Sequence, residues 1–409
     1  MTKKTALLAL LILIGSLFVF SAGLQVNAQG KSDVAPGSFI VVLKDSAANP
    51  QDVANEMALQ HGLAVGHVYA TALKGFSATI PPARLERIRN DSRVQFISED
   101  RVVEAFAQAS PMGVNRIAAP VNTNKGTGIG VAVIDTGIDL THPDLKTNIV
   151  ANYSCVRGKK TGNDDNGHGS HVAGTIAALN NTTGVVGVAP EAKLIAVKVL
   201  NAQGSGTWSS VICGIDWVTA NAARYNIKVA NMSLGGGGSS DNNCGNSNND
   251  ALHKAICKSA QVGVTYAVAA GNDGAAASSF VPAAYNDAVI TVSALADSDG
   301  LAGGVGAATG YGVDDTFASF SNYGSVVDLG APGVAIYSTW KSGGYNTISG
   351  TSMASPHVAG SAALYIQSHP GSSWTQVRNG LVTAGEALNA GHTDSTGRYP
   401  EPVVQANAL

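Results

Sequence analysis

Residues 29–106 alternate two rhythms of apolar and polar positions. "SFIVVL", "GFSATI" and "VQFISEDRVVEAF" carry apolar residues in short runs or at every second place, which predicts strands. Between them, "DVANEMALQHG" and "PARLERIRND" space their apolar residues at helical intervals. Gly62 closes the first helix, and Pro81 and Pro82 open the second. Strand, helix, strand, helix, strand makes a small α+β unit.

From residue 107 the rhythm changes. "GVAVID", "KLIAVKVL", "IKVANMSL" and "VTYAVAAG" are near-continuous apolar runs, with helical patterns over 169–179, 209–225 and 250–260 between them. Strands of that kind are buried on both faces, which predicts a parallel sheet between helix layers. In such sheets ligands bind beyond the carboxyl ends of the strands. Charged residues also thin out after residue 106, which places a boundary there.

The first 28 residues follow neither rhythm. Lys3 and Lys4 precede a mostly apolar run over 6–20, and "VNA" ends at Ala28. This is the pattern of a cleaved export signal, with the cut after Ala28. The run is shorter than the ~20 residues that span a bilayer. The chain is therefore expected to be secreted, with no membrane association once the signal is gone.

Composition narrows the partners. Of 409 residues 45% are hydrophobic and 13% charged, a globular balance, and the net charge of -3 offers nothing to nucleic acid. The cysteines, Cys155, Cys213, Cys244 and Cys257, suit two disulfides in an exported chain, with three pairings open. No CxxC spacing supports a metal site.

Four polar residues stand where strands end or helices begin. Asp135 closes "GVAVID", and His168 opens the small-residue helix of "HGSHVAGTIAAL". Asn272 follows "YAVAAG", and Ser352 lies in "GTSMASPHVAG". A serine hydroxyl becomes a nucleophile when an imidazole takes its proton and a carboxylate holds that imidazole. The helix after Ser352 adds free N–H groups for developing negative charge, and Pro356 comes early enough not to break it. The amide of Asn272 can donate to an oxyanion. His171 is not read as a metal partner of His168, because no third ligand lies in a zinc-type motif.

The blocks "VIDTGID", "HGSHVAG" and "GTSMASPHVAG", in the order Asp, His, Ser, resemble the subtilisin family of serine proteases. The likeness runs over nearly all of 107–375. It implies an α/β, subtilisin-like three-layer fold with a mostly parallel sheet between helices, preceded by a small α+β ferredoxin-like propeptide domain. It implies a serine endopeptidase in which Asp135 orients, His168 is the general base, Ser352 is the nucleophile and Asn272 donates to the oxyanion. "SLGG", with Ser233, Leu234 and Gly235, and "GSG", with Gly204, Ser205 and Gly206, resemble the two edges that sandwich an extended peptide. Ala269 and Gly271 would wall a roomy apolar pocket, implying broad cleavage after large apolar or aromatic residues.

Residues 29–106 resemble the family's inhibitory propeptide, which assists folding and remains an intramolecular inhibitor until it is cut off. "AQASPMGVNRIAAP" is similar to a mature start, which places self-processing after Phe106. The domains expected are thus 1–28 signal, 29–106 propeptide and 107–409 peptidase, with a motif-free tail after about 384. Polypeptides are the expected substrates, and the mature enzyme is expected to be a monomer. "LNNTTGV" resembles the family's calcium loop. The implied Ca2+ ligands are the side chains of Gln108, Asp144 and Asn181 and the carbonyls of Leu179, Thr183 and Val185.

Two insertions depart from the plain family pattern. "GGSSDNNCGNSNN" precedes the helix carrying Cys257, and a Cys244–Cys257 bridge would tie it down, with Cys155 then pairing with Cys213. The second, 297–315, has acidic ends that are expected in a solvated loop, a second bound cation being the alternative. Asp164 and Asp165, beside His168, are likewise expected in a solvated turn.

Overall fold

The structure is a computed structural model and describes residues 34–101 and 108–409. The expected signal, its end at Ala28 and the expected cut after Phe106 lie outside those residues. The chain divides into two compact units, with the division between residues 105 and 106.

The first unit runs β1 (Val34–Leu43), α1 (Pro50–His61), β2 (Ala64–Tyr69), β3 (Gly75–Thr79), α2 (Pro82–Arg89) and β4 (Val94–Arg101). Its four strands form an antiparallel sheet in the order β2-β3-β1-β4. Asn49 caps α1 by accepting from the Gln51 N–H, Pro50 starts the helix, and Gly62 ends it at φ 66°. Alternate residues of β1 and β3 (Val41, Leu43, Phe76, Ala78) pack against Val53, Ala54 and Met57 of α1 and Ile88 of α2. The extra strand β2 corrects the sequence expectation. Its burial is irregular, half of its residues exposed and half partly buried, so it carries no clean two-residue alternation.

The second unit begins with α3 (Met112–Arg116), β5 (Gly130–Asp135), β6 (Ile149–Ser154), α4 (His168–Ala177), β7 (Lys193–Lys198), α5 (Trp208–Asn221) and β8 (Ile227–Met232). It continues through β9 (Gly236–Gly237), α6 (Ala251–Gln261), β10 (Thr265–Ala269), β11 (Phe280–Val281), β12 (Ile290–Ala296), β13 (Thr316–Phe317) and β14 (Leu329–Pro332). It ends with β15 (Ile336–Thr339), β16 (Tyr345–Ile348), α7 (Thr351–Ser368) and α8 (Trp374–Ala384). The main sheet has the order β13-β12-β10-β8-β5-β7-β6, with β14 also on β12; every pair is parallel except β12/β13.

Both faces are covered, which is why the strands read as unbroken apolar runs. Val131 and Val133 of β5 point to one core, with α4, α7 and α8. Ala132 and Ile134 point to the other, with α5 and α6. Disulfides join Cys155 to Cys213 and Cys244 to Cys257. The segment after Ala384 is built into the domain: Val403, Val404 and Ala406 are fully buried, and Val403 bridges Glu386 and Gly330.

Candidate active site

The chain crosses from one side of β5 to the other between β7 and β8, and the polar residues gather at the carboxyl ends of these strands. Asp135 is the last residue of β5 and is fully buried. Its Oδ1 accepts from His168 Nδ1 at 2.8 Å and from the Thr136 N–H at 2.6 Å. His168 is the first residue of α4, and its side chain is one quarter exposed. Burial alone would push its pKa down, but the charge and hydrogen bond of Asp135, with Asp164 nearby, hold it above the ordinary value.

The turn before His168 is tightly determined. Gly167 has φ 120°, and a Cβ there would sit 2.2 Å from the Trp340 ring, so only glycine fits. Asp164 is buried rather than solvated, which corrects the sequence expectation. It accepts from Thr136 Oγ1, the N–H groups of Asn166, Gly167 and Ser170, and Ser170 Oγ. The turn closes on its carboxylate. Asp165, also expected in solvent, pairs with the fully buried Lys198 at 2.6 Å; Lys198 also donates to the Thr136 carbonyl at 2.6 Å.

Ser352 is the second residue of α7. Its Oγ donates to the Ser233 carbonyl at 3.3 Å, and among the described residues no hydrogen bond joins it to His168. Asn272 lies beyond β10. Its Oδ1 accepts from the N–H and the Oγ of Thr351 at 2.8 and 2.9 Å, so its Nδ2 is turned away from these donors. Asn322, which carried no sequence signal, braces this loop: it donates to the Ala270 carbonyl and accepts from the Asp273 and Ala275 N–H groups.

Two hollows flank these groups. The larger, about 710 Å³, is lined by His168, by Gly204, Ser205 and Gly206 on one wall, and by Ser233, Leu234 and Gly235 on another. Trp208 and Val211 also line it and were not singled out in the sequence. The smaller, about 350 Å³, is lined by Ala269, Gly271, Asn272 and Ser352, with Phe280 and Val281. His171 is buried; its Nε2 faces the Ile336 carbonyl at 2.9 Å, and burial lowers its pKa to about 4.

The residues of the calcium-like loop come together away from the cleft. Gln108 Nε2 donates to the carbonyls of Leu179 at 2.5 Å and Val185 at 2.9 Å. Asn181 Nδ2 donates to Asp144 Oδ1 at 2.9 Å, and Asp144 Oδ2 accepts from Val185 N–H and Tyr345 OH. Thr183 N–H and Oγ donate to Asn181 Oδ1. With the two side-chain amides turned to present oxygen, this is an all-oxygen set, which fits a hard cation.

Residues 126–399 match the subtilase family, and residues 38–106 match the peptidase inhibitor I9 family. Subtilisin J of Geobacillus stearothermophilus is 38% identical over 403 residues, covering 95% of each chain. The alkaline protease of Alkalihalobacillus alcalophilus is 41% identical over 335 residues, 81% of this chain and 78% of the relative. The crystal structure of a cold adapted subtilisin-like serine proteinase superposes with a TM-score of 0.60 at 37% identity, over 73% of this chain and 99% of that one. The chain thus belongs to the subtilase family: it is a subtilisin-type serine protease carrying an N-terminal I9 propeptide domain.

Proposed function

We propose that this protein is a secreted endopeptidase that cleaves peptide bonds through an acyl-enzyme on Ser352. The observation that carries the reading is the 2.8 Å contact between His168 Nδ1 and buried Asp135, with His168 lining the larger hollow and Ser352, at the start of α7, lining the smaller one, the two hollows sharing Leu234 and Gly235. With Nδ1 committed to Asp135, Nε2 is the ring nitrogen left for the cleft. In the proposed step Ser352 Oγ leaves the Ser233 carbonyl and turns to Nε2. Oγ then attacks the scissile carbonyl while its proton passes to His168. The oxyanion is met by Asn272 Nδ2 and the Ser352 N–H, which belongs to the first turn of α7. Collapse of the adduct breaks the C–N bond, and His168 returns the proton to the leaving amine. Water, deprotonated by His168, then releases the acid and regenerates Ser352.

Substrate would lie extended between 204–206 and 233–235 by main-chain pairing, which tolerates many sequences. The small residues Ala269 and Gly271 leave room for a large apolar or aromatic side chain in the 350 Å³ hollow. The same preference suits Phe106 as the site of self-processing. On this reading 1–28 is an export signal, 29–106 the propeptide and inhibitor, and 107–409 the mature, monomeric peptidase. Gln108, Asp144 and Asn181, with the carbonyls of Leu179, Thr183 and Val185, would hold a structural Ca2+, which takes no part in the reaction.

A serine-directed fluorophosphonate tests the reading. The wild-type protein should be labelled on Ser352 and Ser352→Ala should not; an unlabelled wild type would leave a peptide-binding module of the same fold. N-terminal sequencing of secreted Ser352→Ala should find the propeptide attached, and loss of 29–106 would assign processing to another protease.

A further inference from the structure

The insertion 297–315 leaves and rejoins the sheet at adjacent points. Leu295 and Ala296 of β12 pair with Phe317 and Thr316 of β13, so its acidic ends are brought side by side. Asp297 and Asp314 are each 2% exposed, and Asp315 is 1% exposed. The expectation of a solvated loop therefore fails at its base: burial comes from the packing of that base against the domain. Asp315 is accounted for, since it accepts from buried Arg116 at 2.6 Å and from the N–H groups of Gly303 and Gly304. The same guanidinium holds Glu386, so its charge is shared by two carboxylates.

The other three acids have no such partner. Asp297, Asp299 and Asp314 each bring one carboxylate oxygen within 4.8 Å of the others. Among the described residues none of them forms an ion pair with a lysine, arginine or histidine. The N–H groups that fold the turn take some of their oxygens: Gly300 to Asp297, Leu301 to Asp299, and Ser298 and Gly306 to Asp314. Asp297 Oδ2 remains, fully buried and without a hydrogen-bond partner, as does Ser298 Oγ next to it. A buried carboxylate oxygen with no donor carries a desolvation cost that native structures rarely leave uncompensated. Two further carboxylates beside it raise that cost by repulsion.

We propose that Asp297, Asp299 and Asp314 bind a calcium ion. The ligands are carboxylate oxygens with a hydroxyl at hand and no sulfur or nitrogen, the donor set of a hard divalent cation. Calcium accepts irregular coordination completed by carbonyls and water, which suits a glycine-rich loop better than the strict octahedron of magnesium. The ion cross-links the two feet of the insertion. The site shares no residue with the Gln108, Asp144 and Asn181 cluster, so either can exist without the other.

The secreted enzyme, inactivated with a phosphonate and stripped with a chelator, is titrated with Ca2+ while hydrogen exchange and bound calcium per chain are measured. Ca2+ at a hundred times its Kd should slow exchange through opening of 297–315 about 100-fold. Asp299→Asn should abolish that protection and lower the stoichiometry by one ion, while protection of 179–185 persists. Asp144→Asn should do the reverse. The proposal is overturned if Ca2+ leaves exchange over 297–315 in the wild type unchanged, or if Asp299→Asn binds as much calcium as the wild type. The wild-type exchange decides the matter even if a variant misfolds, and Asp299, being partly exposed, tolerates amidation best.

Discussion

Ser233 Oγ donates to the carbonyl oxygen of Ser352 at 2.8 Å. In an uninterrupted helix that carbonyl would accept from the N–H four residues on, but residue 356 is proline and has none. The helix that presents Ser352 thus lacks one of its own bonds, and a side chain from the end of β8 replaces it. Asn231 in turn donates to Ser233 Oγ and accepts from Ser355 Oγ, so strand and helix are locked together beside the proposed nucleophile.

Ser233→Ala should cost about 1–3 kcal/mol, the penalty of a buried acceptor left unpaired. Pro356→Ala in the same chain restores an N–H at 356 and should recover part of it. Denaturant melts of the inactivated single and double variants measure the coupling; additivity of the two substitutions would contradict the account.

Asn272→Ala should lower kcat by about 10²–10³, the range known for the corresponding donor in subtilisin itself, and leave KM nearly unchanged. Thr351→Val removes only the hydroxyl that orients Asn272 Oδ1, so its loss should be smaller and again fall on kcat.

The His168 pKa stands above the ordinary 6.5 because Asp135 outweighs burial. The proposed mechanism requires the neutral ring, so kcat/KM should fall as pH drops, with a midpoint above 6.5. Asp135→Asn removes the raising charge. It should lower kcat by about 10⁴ and move the remaining acidic limb downward. A pH profile of each protein on one peptide substrate is the measurement.

Glu401 is buried, with Oε1 accepting from Ser293 Oγ at 2.5 Å and Oε2 unpartnered. Burial, with Asp394 and Asp328 nearby, pushes its carboxyl up to about 7 from an ordinary 4.5. The folded state therefore holds a proton that the unfolded chain has released, and stability falls as pH rises from 4.5 to about 7. Glu401→Gln keeps the acceptor and removes the charge. Its stability relative to wild type should climb through that window and level off above it, by about 3 kcal/mol. Calorimetry of the inactivated proteins at several pH values tests the slope.

The two disulfides close loops of different length, with sequence separations of 58 and 13 residues. Loop entropy predicts that losing Cys155–Cys213 costs about 4 kcal/mol and losing Cys244–Cys257 about 3. Thermal melts of the paired serine variants should rank them in that order.

The parts of this protein that were legible in its sequence are those written in consecutive residues. Asp135, His168 and Ser352 each sit in a short motif at an element boundary, and both-face burial forces the strands between them to be visibly apolar. The illegible parts depend on partners far along the chain. Asp164 looks like any turn acid until Thr136, 28 residues earlier, and Ser170 close on it. Asn322 braces Ala270 across 52 residues, and Arg116 reaches Asp315 across 199. Strand β2 was missed for a different reason: much of it is exposed, so it has no regular pattern to read.

That reach of Arg116 has a consequence for how the molecule comes apart. Asp315 and Glu386 belong to segments that already touch, the Gly303 N–H donating to the Gly391 carbonyl and the Thr393 N–H to the Asp315 carbonyl, and both are also tethered to one guanidinium near the beginning of the peptidase unit. A fluctuation that frees the arginine releases both tethers at once, so the 297–315 excursion and the carboxyl-terminal stretch should loosen as a single cooperative unit. A nick in either segment would then be felt as fraying in the other.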